Sequence, residues 1–182
     1  MISKGEIEQR IIDLLASKDV IPLYAEQLMG ELGIPESEEN SFRDMLDEMV
    51  QRGVLIQTKK KKYALPEEFG FITGRLQGNS KGFGFLISDN TEEEDTFISA
   101  ENLHGAMHND RIMIRLMKSG GRSREGEVIK ILERANTTIV GTFEKDKYFG
   151  FVVPDDRRIN QDIFISKDEI NGAQNGFKVV AE

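Results

Sequence analysis

In the first part of the chain apolar side chains recur every three or four positions, and from Phe69 onward they alternate with polar or small ones. The first pattern belongs to helices buried along one stripe, the second to strands with one face inward. Ile7, Ile11, Leu14 and Leu15 predict a helix over residues 5–17, with Glu8 and Asp13 on its other faces. "IPLYAEQLMGELGIP" predicts a second, with Leu23, Leu28 and Leu32 inward and Gly33 as the C-cap before Pro35. "ESEENSFRDMLDEMVQRG" predicts a third, its stripe formed by Phe42, Met45, Leu46, Met49 and Val50, ending at Gly53. "VLIQTKKKKYAL" then predicts two short strands around a lysine turn.

The β-rich remainder repeats itself. Aligning "GRLQGNSKGFGFLISD…DTFIS…LHGAMHNDRIMIRL" with "GTFEKDKYFGFVVPDD…DIFIS…INGAQNGFKVVAE" pairs Gly74 with Gly141, Phe83 with Phe149, Phe85 with Phe151, Phe97 with Phe164 and Gly105 with Gly172. A period of about 67 residues is too long for a stacked repeat and indicates a duplicated domain. Between the copies, "KSGGRSREGEVIKILERAN" starts as a basic loop, and its "GEVIKIL" alternation suits a returning strand. The expected organisation is α+β: a helical domain over 1–66, a first β-domain with its basic joint over 67–135, and a second β-domain over 136–182.

"SKGFGFLISD" carries the most distinctive chemistry. In a strand with Gly84 and Leu86 inward, Phe83 and Phe85 project from the opposite face, and Phe97 of "DTFIS" joins them across the neighbouring strand. Three rings then share one wall beside Lys81, and a small Gly84 is expected to let a flat base come close. Such a wall suits single-stranded nucleic acid, because base stacking contributes about 1–3 kcal/mol per base and accepts any base. The second copy keeps Phe149, Phe151 and Phe164 but has Tyr148 where the first has Gly82.

The motif resembles that of RNA recognition motifs, but there the companion aromatic strand comes earlier, with a helix between. Here it follows after a short acidic loop. The order instead resembles a cold-shock domain, a five-stranded barrel of the oligonucleotide-binding (OB) class, which implies two tandem OB barrels. Both copies depart from free-standing cold-shock proteins: Leu76 and Phe143 lie near the usual tryptophan, and Ser99 and Ser166 replace a usual histidine. Each unit alone is therefore expected to grip weakly, with tandem linkage compensating. The amino-terminal helices and hairpin resemble a winged helix-turn-helix. The third helix, however, exposes Glu36, Glu38, Glu39, Asp44, Asp47 and Glu48, which phosphate repels. A structural or protein-contacting role suits it better than sequence-specific DNA reading.

Charge alters this picture once its distribution is seen. The net charge of −8 resides in residues 1–50, which hold 12 acids and 4 bases, while residues 51–182 hold 20 of each. Lys59, Lys60, Lys61 and Lys62 are consecutive, and Arg111, Arg115, Lys118, Arg122, Arg124, Lys130 and Arg134 crowd one stretch. Lys59–62 together with Arg122 and Arg124 are the expected phosphate contacts. There is no cysteine, hence neither disulfide nor thiolate metal site, and no apolar span, so no membrane partner is expected and a cytoplasmic setting is. His104 and His108 have a metal-like spacing, but "HGAMH" is turn-like and lacks further ligands; "GFGF" lacks the Lys-Ser/Thr ending of a phosphate loop. Asp89, Glu92, Glu93, Glu94 and Asp95 read as a solvated loop, and no catalytic constellation is found.

The sequence of units, with "ILERANTTIVGTF" and "VPDDRRINQDIFI" weighing most, resembles the amino-terminal half of the ribonuclease R branch of the ribonuclease II family. That resemblance implies processive degradation of RNA from the 3′ end by a magnesium-dependent catalytic domain expected beyond Glu182, "FKVVAE" reading as a cut at a domain boundary. This segment would gather RNA and feed it there, with no cofactor of its own. A free-standing cold-shock-type RNA chaperone and a winged-helix regulator of nucleic acid are the alternatives.

Overall fold

Three amphipathic stripes bring the amino-terminal helices together. The computed structural model describes residues 3–17, 21–117 and 124–182, which fall into two units, Met1–Ile72 and Thr73–Glu182. In the first unit α1 (Lys4–Ser17), α2 (Ala25–Leu32) and α3 (Glu39–Gln51) enclose Ile11, Leu15, Leu28, Phe42, Leu46 and Met49. Gly33 ends α2 at φ 68°, the left-handed cap for which glycine is suited. The second helix begins later than its apolar pattern predicts. Leu23 is extended, exchanging backbone hydrogen bonds of 3.0 and 2.7 Å with Tyr63, so it is buried as a strand residue. Tyr63 lies in β2 (Tyr63–Ala64), which pairs antiparallel with β1 (Ile56–Gln57). The lysine run turns between these strands, with Lys61 at φ 61°. Outward-facing acids on α3 remain exposed, apart from Glu39, which pairs with Arg43 at 2.8 Å.

The second unit opens with a closed antiparallel-dominated barrel. β3 (Phe71–Gly78), β4 (Gly84–Ser88), β5 (Thr96–Ile98), β6 (Arg111–Met117) and β7 (Glu125–Glu133) close in the order β3-β4-β5-β7-β6. The returning strand expected at "GEVIKIL" is β7, which runs parallel to β5 and antiparallel to β6. Leu76, Leu86, Ile98, Ile112 and Ile114 fill the interior.

The duplicate comprises β8 (Ile139–Lys145), β9 (Phe149–Pro154), β10 (Ile163–Ser166) and β11 (Lys178–Ala181), ordered β10-β9-β8-β11. Five strands were expected here and four are described. The first barrel takes its fifth strand from residues after β6, and residues up to Glu182 extend only through β11, the counterpart of β6. Between β10 and β11 lies an open cleft of about 670 Å³, floored by Phe143, Val152 and Ile163 and rimmed by polar groups such as Glu169 and Asn171.

Among the contacts that hold the duplicate to the first barrel, two involve β3 and the buried residues that lead into β6. Fully buried Asp110 accepts hydrogen bonds from the backbone N–H groups of Met107 and Ala135 and from Arg134, each at 2.9 Å, fixing the chain as it leaves β7. At the second contact, a Cβ on Gly78 would lie 2.4 Å from the Arg158 carbonyl oxygen and 3.3 Å from His108 Cβ. Only glycine admits that approach. His108 is buried and its Nδ1 accepts a hydrogen bond from Gly78 N–H at 3.1 Å, so the imidazole is neutral there.

Gly78→Ala should lower the stability of the Thr73–Glu182 unit by about 1–3 kcal/mol, the usual effect of forced overpacking; an unchanged urea midpoint would contradict the contact. Burial, followed by nearby Arg158, holds the His108 pKa below its ordinary value, with Asp156 opposing. The unfolded chain then binds the proton more readily, so His108's stabilisation is full above its unfolded pKa of about 6.5 and declines as pH falls. Urea midpoints measured from about pH 7.5 to 5.5 should decline, and His108→Gln should flatten the decline.

Candidate nucleic-acid interface

Alternation along β4 and β5 decides which side chains leave the barrel. Gly84, Leu86 and Ile98 are buried, while Phe83, Phe85 and Phe97 are partly exposed on the other face. Phe85 sits directly opposite Phe97 on β5 and opposite Gln77 on β3. The three ring centroids are 5.5–5.8 Å apart, with interplanar angles of 46–89°. Phe85 thus meets both other rings edge to face, a favourable quadrupolar arrangement, while Phe83 and Phe97 are tilted to one another, so the three present differently oriented faces to solvent. Lys81 is exposed in the turn before them, where Gly82 adopts φ 97° and Asn79 Oδ1 accepts from the Lys81 N–H at 2.9 Å.

The duplicate reproduces the cluster. Phe149, Phe151 and Phe164 have centroids 5.5–5.8 Å apart, and Phe151 faces Phe164 across the strands as Phe85 faces Phe97. Phe164 and Tyr148 are exposed, and Lys147 lies 5.1 Å from the centre of the Tyr148 ring. One difference was not anticipated: where Gln77 faces Phe85, Glu144 faces Phe151. The duplicate wall carries a charge that phosphate repels. Beside Phe85 there is also a hollow of about 330 Å³ lined by Gln77, Gly78, Asn79 and Asp95. These polar neighbours become visible only through the strand register, though the repeat alignment already placed Glu144 opposite Gln77 in sequence.

The central glycines serve a different purpose from the one expected. A Cβ on Gly84 would point inward, 2.7 Å from a Leu76 methyl, and one on Gly150 would stand 2.3 Å from the Phe143 ring. They make room for the core beneath the wall rather than for a ligand above it. Leu76 and Phe143, placed near the usual tryptophan position by sequence, are 1% exposed and belong to that core.

The basic stretch is less available than its composition implies. Arg111 pairs with Asp89 at 2.7 Å, Arg115 with Glu127 at 2.6 Å, Arg124 with Glu93 at 3.3 Å and Arg134 with Asp110 at 2.9 Å. The acidic loop read as solvated supplies two of these partners. Arg122 and Lys118 lie outside the described residues. In the first unit Lys59, Lys60 and Lys61 are exposed at the hairpin tip, whereas Lys62 is half-buried with Nζ 4.8 Å from the centre of the Tyr24 ring.

The two histidines do not converge. His104 Nε2 is 3.1 Å from Glu127 Oε1, whereas His108 is bound to Gly78. Among the described residues no group of three or more His, Asp or Glu side chains is arranged to hold a metal ion. No helix is long and apolar enough to cross a membrane among those residues.

Comparisons with known proteins agree with this architecture. Residues 74–131 match the family described as the Ribonuclease B OB domain, and residues 151–182 match the Cold shock domain. The chain is 33% identical over 163 residues to Ribonuclease R of Escherichia coli (strain K12), covering 88% of this chain and 20% of that protein. It is 33% identical over 152 residues to Ribonuclease R of Acidithiobacillus ferrooxidans, covering 83% and 34%, and 28% identical over 183 residues to that of Thermotoga maritima, covering 100% and 25%. The chain therefore spans a fifth to about a third of these relatives' lengths. Among solved structures, Mycoplasma genitalium RNase R in complex with ribose methylated single-stranded RNA aligns with 26% identity and a TM-score of 0.42, covering 46% of this chain and 14% of that one.

Proposed function

We propose, from the premise that this chain is an amino-terminal ribonuclease R region carrying cold-shock domains, that it gathers single-stranded RNA and feeds it toward the nuclease of a longer protein. One observation carries the reading: three phenylalanine rings project together from one sheet face, beside an exposed lysine, and the arrangement occurs twice. Bases stack on Phe83, Phe85 and Phe97 while Lys81 meets phosphate. The wall of Phe149, Phe151 and Phe164 is the weaker partner because Glu144 lies beside it, and linkage in one chain lets the two walls act together.

In the longer protein the reaction is hydrolysis of RNA from its 3′ end, with magnesium held by a catalytic domain outside residues 1–182. Among the described residues no group of acidic side chains is arranged to hold magnesium. A winged helix-turn-helix reading of the first unit rests on its three helices and lysine-tipped hairpin. Its acidic α3 disfavours duplex reading and suits contact with protein, whereas Lys59, Lys60 and Lys61 at the tip reach RNA phosphate. Arg124 plays at most a secondary part, since Glu93 already engages it. The setting is the cytoplasm.

Replacing Phe83 and Phe85 together by Ala should remove about 2–6 kcal/mol of single-strand binding without unfolding the barrel. Wild-type affinity of a folded double variant in a fluorescence-anisotropy titration would refute stacking on this wall. Changing Lys59, Lys60 and Lys61 to Glu should weaken RNA binding and reduce its dependence on salt by roughly 0.7 per lost phosphate contact. Unchanged affinity and slope would make the tip a solvated turn only.

A further inference from the structure

The loop between β9 and β10 belongs to the duplicate but is presented to the first barrel's wall. It has a fixed shape. Asp156 carboxylate oxygens accept from the Arg158 backbone N–H at 3.0 Å and from its guanidinium at 2.9 and 2.8 Å. The Ile159 N–H bonds back to the Asp156 carbonyl at 2.9 Å, and Ile159 is buried. Arg158 holds the Asp156 carboxyl down to about 2, so the pair remains ionised through the whole neutral range.

This loop packs against the first barrel at two successive points. The Arg158 carbonyl fits over Gly78, as described above. Two residues later, Asn160 Nδ2 lies 3.5 Å from the position a Cβ would take on Gly82. Gly82 immediately precedes Phe83. Asn160 is exposed, and its carboxamide has no hydrogen-bond partner among the described residues. A rigid loop thus holds an unengaged donor and acceptor at the edge of an aromatic cluster.

Resting on the reading of that cluster as a strand-binding wall, we infer that Asn160 contacts the edge of the base stacked beside Phe83, and that adenine is the base it matches. Stacking alone accepts any base. A carboxamide sets an N–H donor next to a carbonyl acceptor, complementary to the N6 amino group and N7 that adenine alone presents side by side on its major-groove edge. The base preference of the first wall is therefore supplied by the second domain. It depends on the close docking that Gly78 permits.

The test uses the whole chain, labelled oligo(A) and oligo(U) of about eight nucleotides, and fluorescence anisotropy. Wild type should bind oligo(A) more tightly than oligo(U). Asn160→Ala should weaken oligo(A) binding roughly fivefold or more while leaving oligo(U) within about twofold. The exposed, unpartnered side chain makes the variant's urea midpoint equal to wild type. Absence of an adenine preference in wild type, no effect of Asn160→Ala, or an equal loss on both oligomers would overturn the inference. The Phe83→Ala/Phe85→Ala variant separates this from the wall itself. If it loses both oligomers while Asn160→Ala changes nothing, the wall stands and the role of Asn160 falls. If it retains wild-type affinity for both, the wall reading has failed.

Discussion

The aromatic walls depend on what lies beneath them. A strand has two faces, and the residues between the outward phenylalanines must point into the core. In the first barrel that inward position meets Leu76, and in the duplicate it meets the Phe143 ring, at distances too short for any Cβ. Glycine at 84 and 150 lets a full-sized core side chain sit directly under the sheet. With that space filled, the rings of Phe83 and Phe85, or Phe149 and Phe151, have no inward alternative. The Phe-Gly-Phe motif is thus a packing solution whose outer consequence is an exposed π surface.

Duplication preserved this packing while the surroundings diverged. Ring separations agree to within a few tenths of an ångström between the walls, because the cross-strand register of Phe85 with Phe97 recurs as Phe151 with Phe164. Nothing in the core constrains the polar neighbour on the adjoining strand. Gln77 occupies that place in the first copy and Glu144 in the second. A carboxylate there does not alter the fold, but it opposes the approach of a phosphate chain, so two walls of equal geometry have unequal electrostatics.

Most of the architecture could be read from sequence because it rests on local periodicity. The stripe of Phe42, Leu46 and Met49 and the alternation through Gly84, Phe85 and Leu86 each identify an element and its inward face. What escaped was set by partners distant in sequence. Leu23 continues a helical pattern, yet its backbone bonds to Tyr63 and it becomes extended. Arg111, Arg115, Arg124 and Arg134 look like part of a phosphate-binding run until the fold brings Asp89, Glu127, Glu93 and Asp110 against them. The closing strand β7 was legible as alternation, whereas the lack of its counterpart through Glu182 follows from strand order. Asn160 gave no sequence signal, since what distinguishes it is its position beside Gly82.

That position changes how the tandem arrangement is understood. Two domains joined by a free linker would contribute affinity through effective concentration alone. Here Asp110 anchors the chain leaving the first barrel, and Gly78 admits the Arg158 backbone into contact with β3. Each contact restricts the freedom a flexible tether would keep, and together they place the duplicate's loop at the first wall's edge. Docked this way, the first wall has side chains of both domains at its edge, so a strand bound there as proposed would meet both. Base reading by Asn160, on the reading proposed for it, then rests on interdomain packing, because the Gly78 contact is what sets that loop beside Gly82.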